Sequence, residues 1–261
     1  MNALVVLNAL DALNALVALD ALNALDALDA LVDIDALPAP PLCLIPDKQY
    51  PVPKEHHMNA DFHLNGKTIE TERLILRPFE PTDLEDFYEY CSVEGTGEMA
   101  GWPHHDSRET SLGILNHFIA EDRTFAVCLK HNRKVIGSLG VEYYGLEDKL
   151  TEFDAYRGRE IGYVLSRDYW GMGLMPEAVR AVIDYLFNEC DMDFLLCGHF
   201  DFNTQSARVQ EKCGFRPYRK LVMDTAMGTK EPGELTLLPN PRKNITFVFS
   251  HPETLIWEPS V

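Results

Sequence analysis

Residues 160–187 read EIGYVLSRDYWGMGLMPEAVRAVIDYLF, and this stretch decides the fold. Its first six residues are typical of a strand, and residues 175–188 repeat apolar side chains at helical spacing. Between them stand two glycines one residue apart, which let the backbone turn sharply and approach a ligand closely. Free N–H groups and the dipole at a helix N-terminus attract anions, so a strand, a glycine loop and a helix in this order predict a phosphate-binding site.

The loop leaves open which phosphate compound it binds. A dinucleotide fingerprint needs a third glycine at position 176, where proline stands, and a Walker A loop needs a Gly-Lys-Ser/Thr run that is absent. A pair of glycines one residue apart is also common in ordinary turns. A binder of nucleotide phosphates therefore stays as an alternative at this point.

Outward from this stretch, periodicity and turn residues predict a mixed α/β sheet in the order β-α-α-β-β-β-α-β-α-β-β. Two segments, 145–158 and 224–243, are predicted to be loops, and the second could cover a site or simply connect two strands. The predicted strands are 73–79, 124–129, 134–144, 159–166, 194–200, 218–222 and 244–250, and the predicted helices are 82–90, 107–119, 175–188 and 204–212.

The N-terminal part is a different kind of sequence. Residues 1–37 are almost entirely Asn-Ala-Leu and Asp-Ala-Leu triplets, and six prolines follow between positions 38 and 53. A strict period of three does not match the helical period of 3.6, and the prolines are typical of an extended linker. We therefore predict two regions: residues 1–57, low-complexity and outside the core, and a globular domain over residues 58–261.

Composition narrows the class of partner. The 261 residues carry a formal net charge of −18, which disfavours nucleic acid and anionic membrane surfaces and favours cationic partners. No apolar run is long enough to span a membrane. The six cysteines are scattered without zinc spacing, so we expect no metal site and a reducing, cytoplasmic location.

Three segments in the same order resemble GNAT-family N-acetyltransferases, in the branch that contains ribosomal-protein N-terminal (alanine/serine) acetyltransferases. They are residues 70–90 (ETERLILRPFEPTDLEDFYEY), residues 160–187, and residues 203–215 (NTQSARVQEKCGF). The resemblance spans about residues 68–250. It implies a GNAT fold, in which a mostly antiparallel sheet flanked by helices splays at the acetyl-CoA site, and it implies acetyl-CoA as co-substrate.

The resemblance also implies roles for individual residues. Backbone groups of the loop would hold the pyrophosphate of acetyl-CoA, strand residues would pair with its pantetheine arm, and Asn203 would bind that arm or cap its own helix. The implied cofactor-binding residues are Val164, Leu165, Arg167, Trp170, Gly171, Met172, Gly173, Leu174, Asn203 and Ser206.

The same resemblance places Glu160 as the base that takes a proton from the acceptor amine, and Ser206 as the acid that protonates the leaving thiolate. Amine attack on a thioester needs both, because only a neutral amine is nucleophilic. The chain departs from the family pattern at three positions. Asp168 replaces a Gln or Arg, and Pro176 replaces a Thr. Gln210 stands where other branches carry the Tyr that acts as the acid.

The loop between the first two helices would border the acceptor site in such a fold. Trp102, His104 and His105 are therefore candidate substrate residues, and either histidine, or more remotely His199, could replace Glu160 as the base. The predicted reaction moves acetyl from acetyl-CoA to a primary amine, on a small molecule or a peptide or protein N-terminus, by direct attack in a ternary complex. The alternative is a non-catalytic acetyl-CoA sensor. We expect a monomer or a homodimer.

Overall fold

A computed structural model describes residues 58–145, 150–243 and 245. Four α-helices and eight strands make up the described part of the chain. The helices are α1 (Leu84–Cys91), α2 (Arg108–Glu121), α3 (Leu174–Asn188) and α4 (Thr204–Lys212). The strands are β1 (Ile69–Glu70), β2 (Leu74–Pro78), β3 (Thr124–Leu129), β4 (Val135–Glu142), β5 (Gly158–Leu165), β6 (Phe194–Phe200), β7 (Arg216–Asp224) and β8 (Lys230–Pro239).

The eight strands form one open sheet in the order β1-β2-β3-β4-β5-β6-β8-β7. Every neighbouring pair is antiparallel except β5 and β6, which are parallel and joined by the crossover helix α3. A parallel pair needs such a crossover, because the chain must return to the same end of the sheet before the second strand begins. The predicted mixed, mostly antiparallel sheet is confirmed.

The parallel pair is short. Only Gly158, Arg159 and Glu160 face partners on β6, which are Phe194, Leu195 and Leu196. Both strands continue beyond this point, β5 to Leu165 and β6 to Phe200, but they no longer pair with each other. The sheet therefore opens between them, and backbone groups of β5 are left without a strand partner on that side.

Helices cover both faces of the sheet and bury two main apolar clusters. Helix α3 packs with Val179, Val182 and Leu186 against the first face, and α1 and α2 cover the other with Phe87 and Leu115. Each helix has its apolar residues at the spacing that faces the sheet. Burial of both faces fixes β5 in the middle of the molecule.

The sequence prediction was wrong about the last part of the sheet. Residues 224–243 were predicted as a loop, because Pro232 and Gly233 interrupt them, yet β8 lies there. Gly233 is needed in that strand, because a Cβ at this position would meet the His199 carbonyl oxygen at 2.5 Å. The predicted strand 244–250 lies outside the described residues except for Ile245, which is not in a strand.

Gly158 offers a test of how tightly the start of β5 is packed. A Cβ there would lie 2.1 Å from the ring of Phe194, which is fully buried and stacks on Phe153. We expect Gly158→Ala to lower the free energy of unfolding by roughly 1–3 kcal/mol through overpacking. Urea denaturation would measure the change.

Gly113 in α2 is the matched control, because a Cβ there meets nothing within 4 Å. Gly113→Ala should leave stability unchanged or raise it by up to about 1 kcal/mol, since alanine favours a helix over glycine. Equal losses in both variants would contradict the packing argument.

Candidate functional site

Two connected cavities lie where β5 and β6 part. The long cleft, of about 400 Å³, runs between the glycine loop and α4 and is lined among others by Gly171, Gly173, Arg208 and Lys212. The small cavity, of about 90 Å³, lies against β4, β5 and β6 and reaches Glu160. Six residues line both cavities and so form their junction: Met99, Ala100, Tyr163, Val164, Asn203 and Ser206.

The glycine loop has the backbone that its sequence predicts. Gly171 and Gly173 have φ angles of 76° and 74°, in the left-handed region that favours glycine. Helix α3 starts directly after Gly173, and no side chain caps its first turn, so its N-terminal N–H groups remain available to an anion. Trp170 folds back over β5 and donates its indole N–H to the Leu165 carbonyl oxygen at 2.7 Å.

Glu177 holds the N-terminus of α3 in place. Its carboxylate accepts hydrogen bonds from the Thr71 hydroxyl at 2.6 Å and from the Arg73 backbone N–H at 2.9 Å. The Arg73 side chain also donates to Glu177 and to the Met172 carbonyl oxygen. These bonds tie the loop and the helix to β2, and they hold the pKa of Glu177 below its usual value although burial opposes that direction.

Arg167 does not line the long cleft. Its guanidinium donates to the Glu94 carbonyl oxygen at 2.7 Å and lies over the Trp170 ring. Two other cations stand at the cleft instead, Arg208 and Lys212 on α4. The positive charge at this cleft therefore comes from two residues of α4, neither of which was among the predicted cofactor-binding residues.

Helix α4 brings both of its predicted residues to the junction. The Asn203 side-chain oxygen caps the helix by accepting the Ser206 N–H at 3.0 Å, and its amide donates to the Met99 carbonyl oxygen at 2.8 Å. Asn203 therefore caps its helix and also fixes the wall shared by the two cavities. Ser206 lies one turn inside the cap.

Tyr163, Ser206 and Gln210 form a hydrogen-bonded group at the junction. The Tyr163 hydroxyl lies 3.0 Å from the Ser206 Oγ, and Gln210 Nε2 donates to the same Oγ at 3.2 Å. Gln210 Oε1 lies 2.9 Å from His199 Nδ1. Burial raises the pKa of Tyr163 well above its usual value, so this phenol stays protonated and can donate a hydrogen bond.

Three glycines form the floor of the small cavity, one on each of three neighbouring strands. They are Gly140 on β4, Gly162 on β5 and Gly198 on β6, and they add no side chain of their own to it. Glu160 closes the cavity and is only 4% exposed. Burial, and then the charge of Glu142, raise the pKa of Glu160 to about 8.

Glu142 stands directly opposite Glu160 on β4 and lines the same cavity. Burial raises its pKa as well, against the opposing charges of Arg123 and Arg159. Glu142 was not among the site residues predicted from the sequence. The alternation of β4 places Ser138, Gly140 and Glu142 on one face, which could have pointed to it once the pairing with β5 was known.

Only one of the three residues predicted to contact an acceptor lines the small cavity. Trp102 lines the small cavity, but neither His104 nor His105 does. His104 is partly exposed and bonds Glu98 at 2.8 Å. His105 is buried against Trp102, with its Nδ1 2.7 Å from the Ser111 hydroxyl, and burial lowers its pKa to about 4. The sequence could not distinguish these neighbours, since their burial depends on how the loop packs.

Other features bear on the class of site. Among residues 58–145, 150–243 and 245, no group of three or more His, Cys, Asp or Glu side chains is arranged to hold a metal ion. Within that same part of the chain, no helix has the length and hydropathy that crossing a bilayer requires. The five cysteines described are all free thiols: Cys91, Cys128, Cys190, Cys197 and Cys213.

Comparison with known proteins agrees with this geometry. A family model described as the acetyltransferase (GNAT) domain matches residues 73–216, more than half of the chain. The "Probable N-acetyltransferase YjcK" of Bacillus subtilis (strain 168) is 46% identical over 171 residues, 58% of this chain and 82% of that protein. The "Uncharacterized N-acetyltransferase p20" of Bacillus licheniformis is 30% identical over 156 residues, 58% of this chain and 83% of that protein.

Solved structures show the same fold. A GNAT-family acetyltransferase from Bacillus anthracis superposes with a TM-score of 0.58 at 24% identity, covering 67% of this chain and 99% of that one. The ribosomal-protein-S5-alanine acetyltransferase from Vibrio fischeri gives a TM-score of 0.52 at 21% identity, covering 67% of this chain and 97% of that one. At these identities the likeness concerns the fold alone.

The raised pKa of Glu160 predicts a pH dependence of stability. The folded protein binds this proton more tightly than the unfolded chain, so the contribution favours folding below the ordinary glutamate pKa and is lost as pH rises through about 8. We expect Glu160→Gln to remove part of the fall in Tm between about pH 6 and about pH 9. Differential scanning fluorimetry across that range would measure it.

Glu152→Gln serves as the control, because Glu152 is also a buried carboxylate but bonds Tyr218 and Arg219 away from the cavity. It should keep the wild-type alkaline slope. Curves for Glu160→Gln that run parallel to wild type would show that Glu160 is already ionised in the folded protein at neutral pH.

Proposed function

This chain belongs to the GNAT acetyltransferase family, and from that premise we propose that it transfers an acetyl group from acetyl-CoA to a primary amine. The observation that supports this most directly is the continuity of the two cavities. The glycine loop lines one end of the long cleft, and a buried carboxylate closes the small cavity at the other end.

The residues present fit acetyl-CoA. The loop glycines leave open space, since a Cβ at Gly171 would meet nothing within 4 Å, and the first turn of α3 offers N–H groups to a pyrophosphate. Arg208 and Lys212 would add positive charge for the phosphates. Beyond Glu160, the edge of β5 that faces β6 has no strand partner, and its backbone groups would bond the amides of the pantetheine arm. When bound, acetyl-CoA supplies the thioester, whose C–S bond breaks as the new C–N bond forms.

Glu160 would act as the base. An amine that enters as an ammonium ion must lose a proton before it can attack, and a base whose pKa lies near that of the amine takes it efficiently. Burial brings the pKa of Glu160 to about 8, close to that range. The proton then leaves to solvent from Glu160.

Ser206 would act as the acid, with Tyr163 behind it. Ser206 Oγ accepts a hydrogen bond from Gln210 and lies within bonding distance of the Tyr163 phenol. When the phenol donates to this Oγ rather than to the Ser206 carbonyl oxygen, 3.2 Å away, the hydrogen of Ser206 is free for another acceptor. We propose that this hydrogen goes to the leaving thiolate and that the Tyr163 proton replaces it on Ser206. The attacking nitrogen loses a second proton as the amide forms, and this proton restores Tyr163 through solvent.

The acceptor is either a small amine or a peptide N-terminus, and both contain the group that the small cavity would receive. We further propose a cytoplasmic location, which the free thiols support.

The proposal is tested by calorimetric titration with acetyl-CoA, followed by detection of free thiol with a panel of alkylamines and N-terminal peptides. We expect micromolar binding and amine-dependent thiol release, with kcat/KM rising through about pH 8 as Glu160 ionises. Glu160→Gln should lower kcat/KM by about 10²- to 10⁴-fold and abolish this rising limb, while binding of acetyl-CoA is unchanged.

The result separates the two hypotheses carried from the sequence. Binding without thiol release from any amine would favour a non-catalytic sensor of acetyl-CoA. Absence of binding would show that the glycine loop is not an acetyl-CoA site.

The proposed proton path predicts unequal losses at Ser206 and Tyr163. Ser206→Ala should lower kcat by about 10²-fold, because the last donor to the thiolate is gone. Tyr163→Phe should cause a smaller loss, since Ser206 keeps its own proton for the transfer. Single-turnover kinetics would measure both, and a Tyr163→Phe variant with wild-type kcat would exclude the phenol from the path.

A further inference from the structure

We propose that Glu142 is a second acceptor-binding residue, and that Glu142 and Glu160 together form a paired-carboxylate site for an alkylammonium ion. This inference rests on the proposed function, because it names the chemical class of the acceptor. It predicts that the enzyme selects amines that are positively charged at neutral pH over amines and alcohols that are neutral.

The sheet brings the two carboxylates together. Glu142 on β4 and Glu160 on β5 are direct partners in the antiparallel register, so both side chains leave the same face of the sheet. The Cβ atoms of such partners lie about 4.5–5.5 Å apart. Both residues line the small cavity and are at least nine-tenths buried, with exposures of 6% and 4%.

Glycines let both carboxylates lie over the cavity floor. A Cβ on Gly140 would stand 2.0 Å from Oε1 of Glu142, so this side chain folds back across the glycine. A Cβ on Gly198 would stand 3.4 Å from Oε1 of Glu160, which therefore leans toward β6. Gly140 keeps open the space that the Glu142 carboxylate occupies, and a larger residue at this position would displace Glu142.

The pair lacks a compensating cation in the described part of the chain. Neither carboxylate forms an ion pair there, Glu160 makes no hydrogen bond with those residues, and Glu142 accepts one long bond, 3.4 Å, from Thr124. A buried carboxylate without a partner is costly, and two adjacent ones repel each other. The site is therefore stable with a shared proton or with a bound cation.

The charged and titratable groups around the pair do not replace that cation. Arg123, Arg159 and His117 lie close enough to Glu142 to act on it through space, and Cys197 is the neighbour of Glu160 on β6. Arg159 points to the opposite face of β5 from Glu160, where its guanidinium stacks on Tyr143 at 3.8 Å. Positive charge thus lies around the pair, while the cavity between the carboxylates is left to a ligand.

An ammonium ion meets the requirements of this site. It has three N–H donors and a positive charge, so it can bond both carboxylates at once. One N–H proton moves to Glu160 and leaves a neutral amine, whose lone pair attacks the thioester carbonyl carbon. Glu142 keeps its charge and accepts a hydrogen bond from a remaining N–H, which holds the amine in place.

The test compares Glu142→Gln with wild type in steady-state kinetics with acetyl-CoA and n-butylamine. We expect KM for butylamine to rise by about tenfold or more, with the Kd for acetyl-CoA unchanged. The rising limb of kcat/KM should also move to lower pH by roughly one unit, because Glu160 loses a like charge beside it. Glu142→Asp keeps the charge, so its rising limb should stay close to the wild-type position.

Two controls separate charge recognition from structural damage. Aniline is uncharged at neutral pH, so its KM should change much less in Glu142→Gln than that of butylamine. Glu152→Gln removes a buried carboxylate outside the cavity and should leave both KM values unchanged. Equal changes for butylamine and aniline, or an unmoved pH limb in a folded Glu142→Gln variant, would overturn the proposal.

A binding measurement keeps the test independent of turnover. NMR titration of the wild-type protein with butylammonium chloride should show saturable shifts in β4 and β5, whereas 1-butanol, a neutral molecule of the same shape, should not. Equal binding of the two probes overturns the paired-carboxylate site even if the enzyme is active. Selective butylammonium binding without thiol release supports the site while refuting the acetyltransferase reaction.

Discussion

The parallel pairing of β5 with β6 stops after three residues, and both cavities follow from that separation. If the strands stayed paired to their ends, β6 would occupy the edge of β5 that lines the cleft, and Ser206 would be displaced from Tyr163. The crossover helix α3 and the antiparallel pairing with β4 hold β5 on its other sides. The opening is thus set by the strand pairing of the sheet itself.

Burial determines the chemistry of groups that are ordinary in water. Glu160 and Tyr163 lie three residues apart on the same strand, and burial raises the pKa of each. For the carboxyl group this strengthens a base near neutral pH, and for the phenol it keeps the hydrogen on the oxygen, where it can be donated in a hydrogen bond. One physical cause therefore favours a proton acceptor at Glu160 and a hydrogen-bond donor at Tyr163.

Local sequence predicted most of the fold because the elements have strong periodicity and clear caps. Ser107 and Asn203 cap the helices that they were expected to start, and Gly171 and Gly173 adopt the backbone that their loop requires. Strand β8 was missed because Pro232 and Gly233 usually interrupt strands, whereas in this sheet Gly233 allows the close approach of β6. A prediction from local sequence cannot include that neighbouring strand.

For the site, the sequence identified residues on the loop and on α4, but not those whose role depends on cross-strand register. Glu142 is eighteen positions from Glu160 and becomes its partner only through the pairing of β4 with β5. His105 looked equivalent to His104, yet packing against Trp102 and Ser111 buries it. Such distinctions arise from tertiary contacts that a single sequence does not encode locally.

The alternation of β5 has a consequence for how such an enzyme can change over time. Glu160 and Gly162 face the small cavity, whereas Ile161 and Leu165, which also border the cavities, belong to the core beneath α3. Substitutions on the first set can alter which molecules are accepted without disturbing the packing maintained by the second. A single inserted residue would exchange the two sets, so selection can diversify this strand by replacement but not by changes in its length.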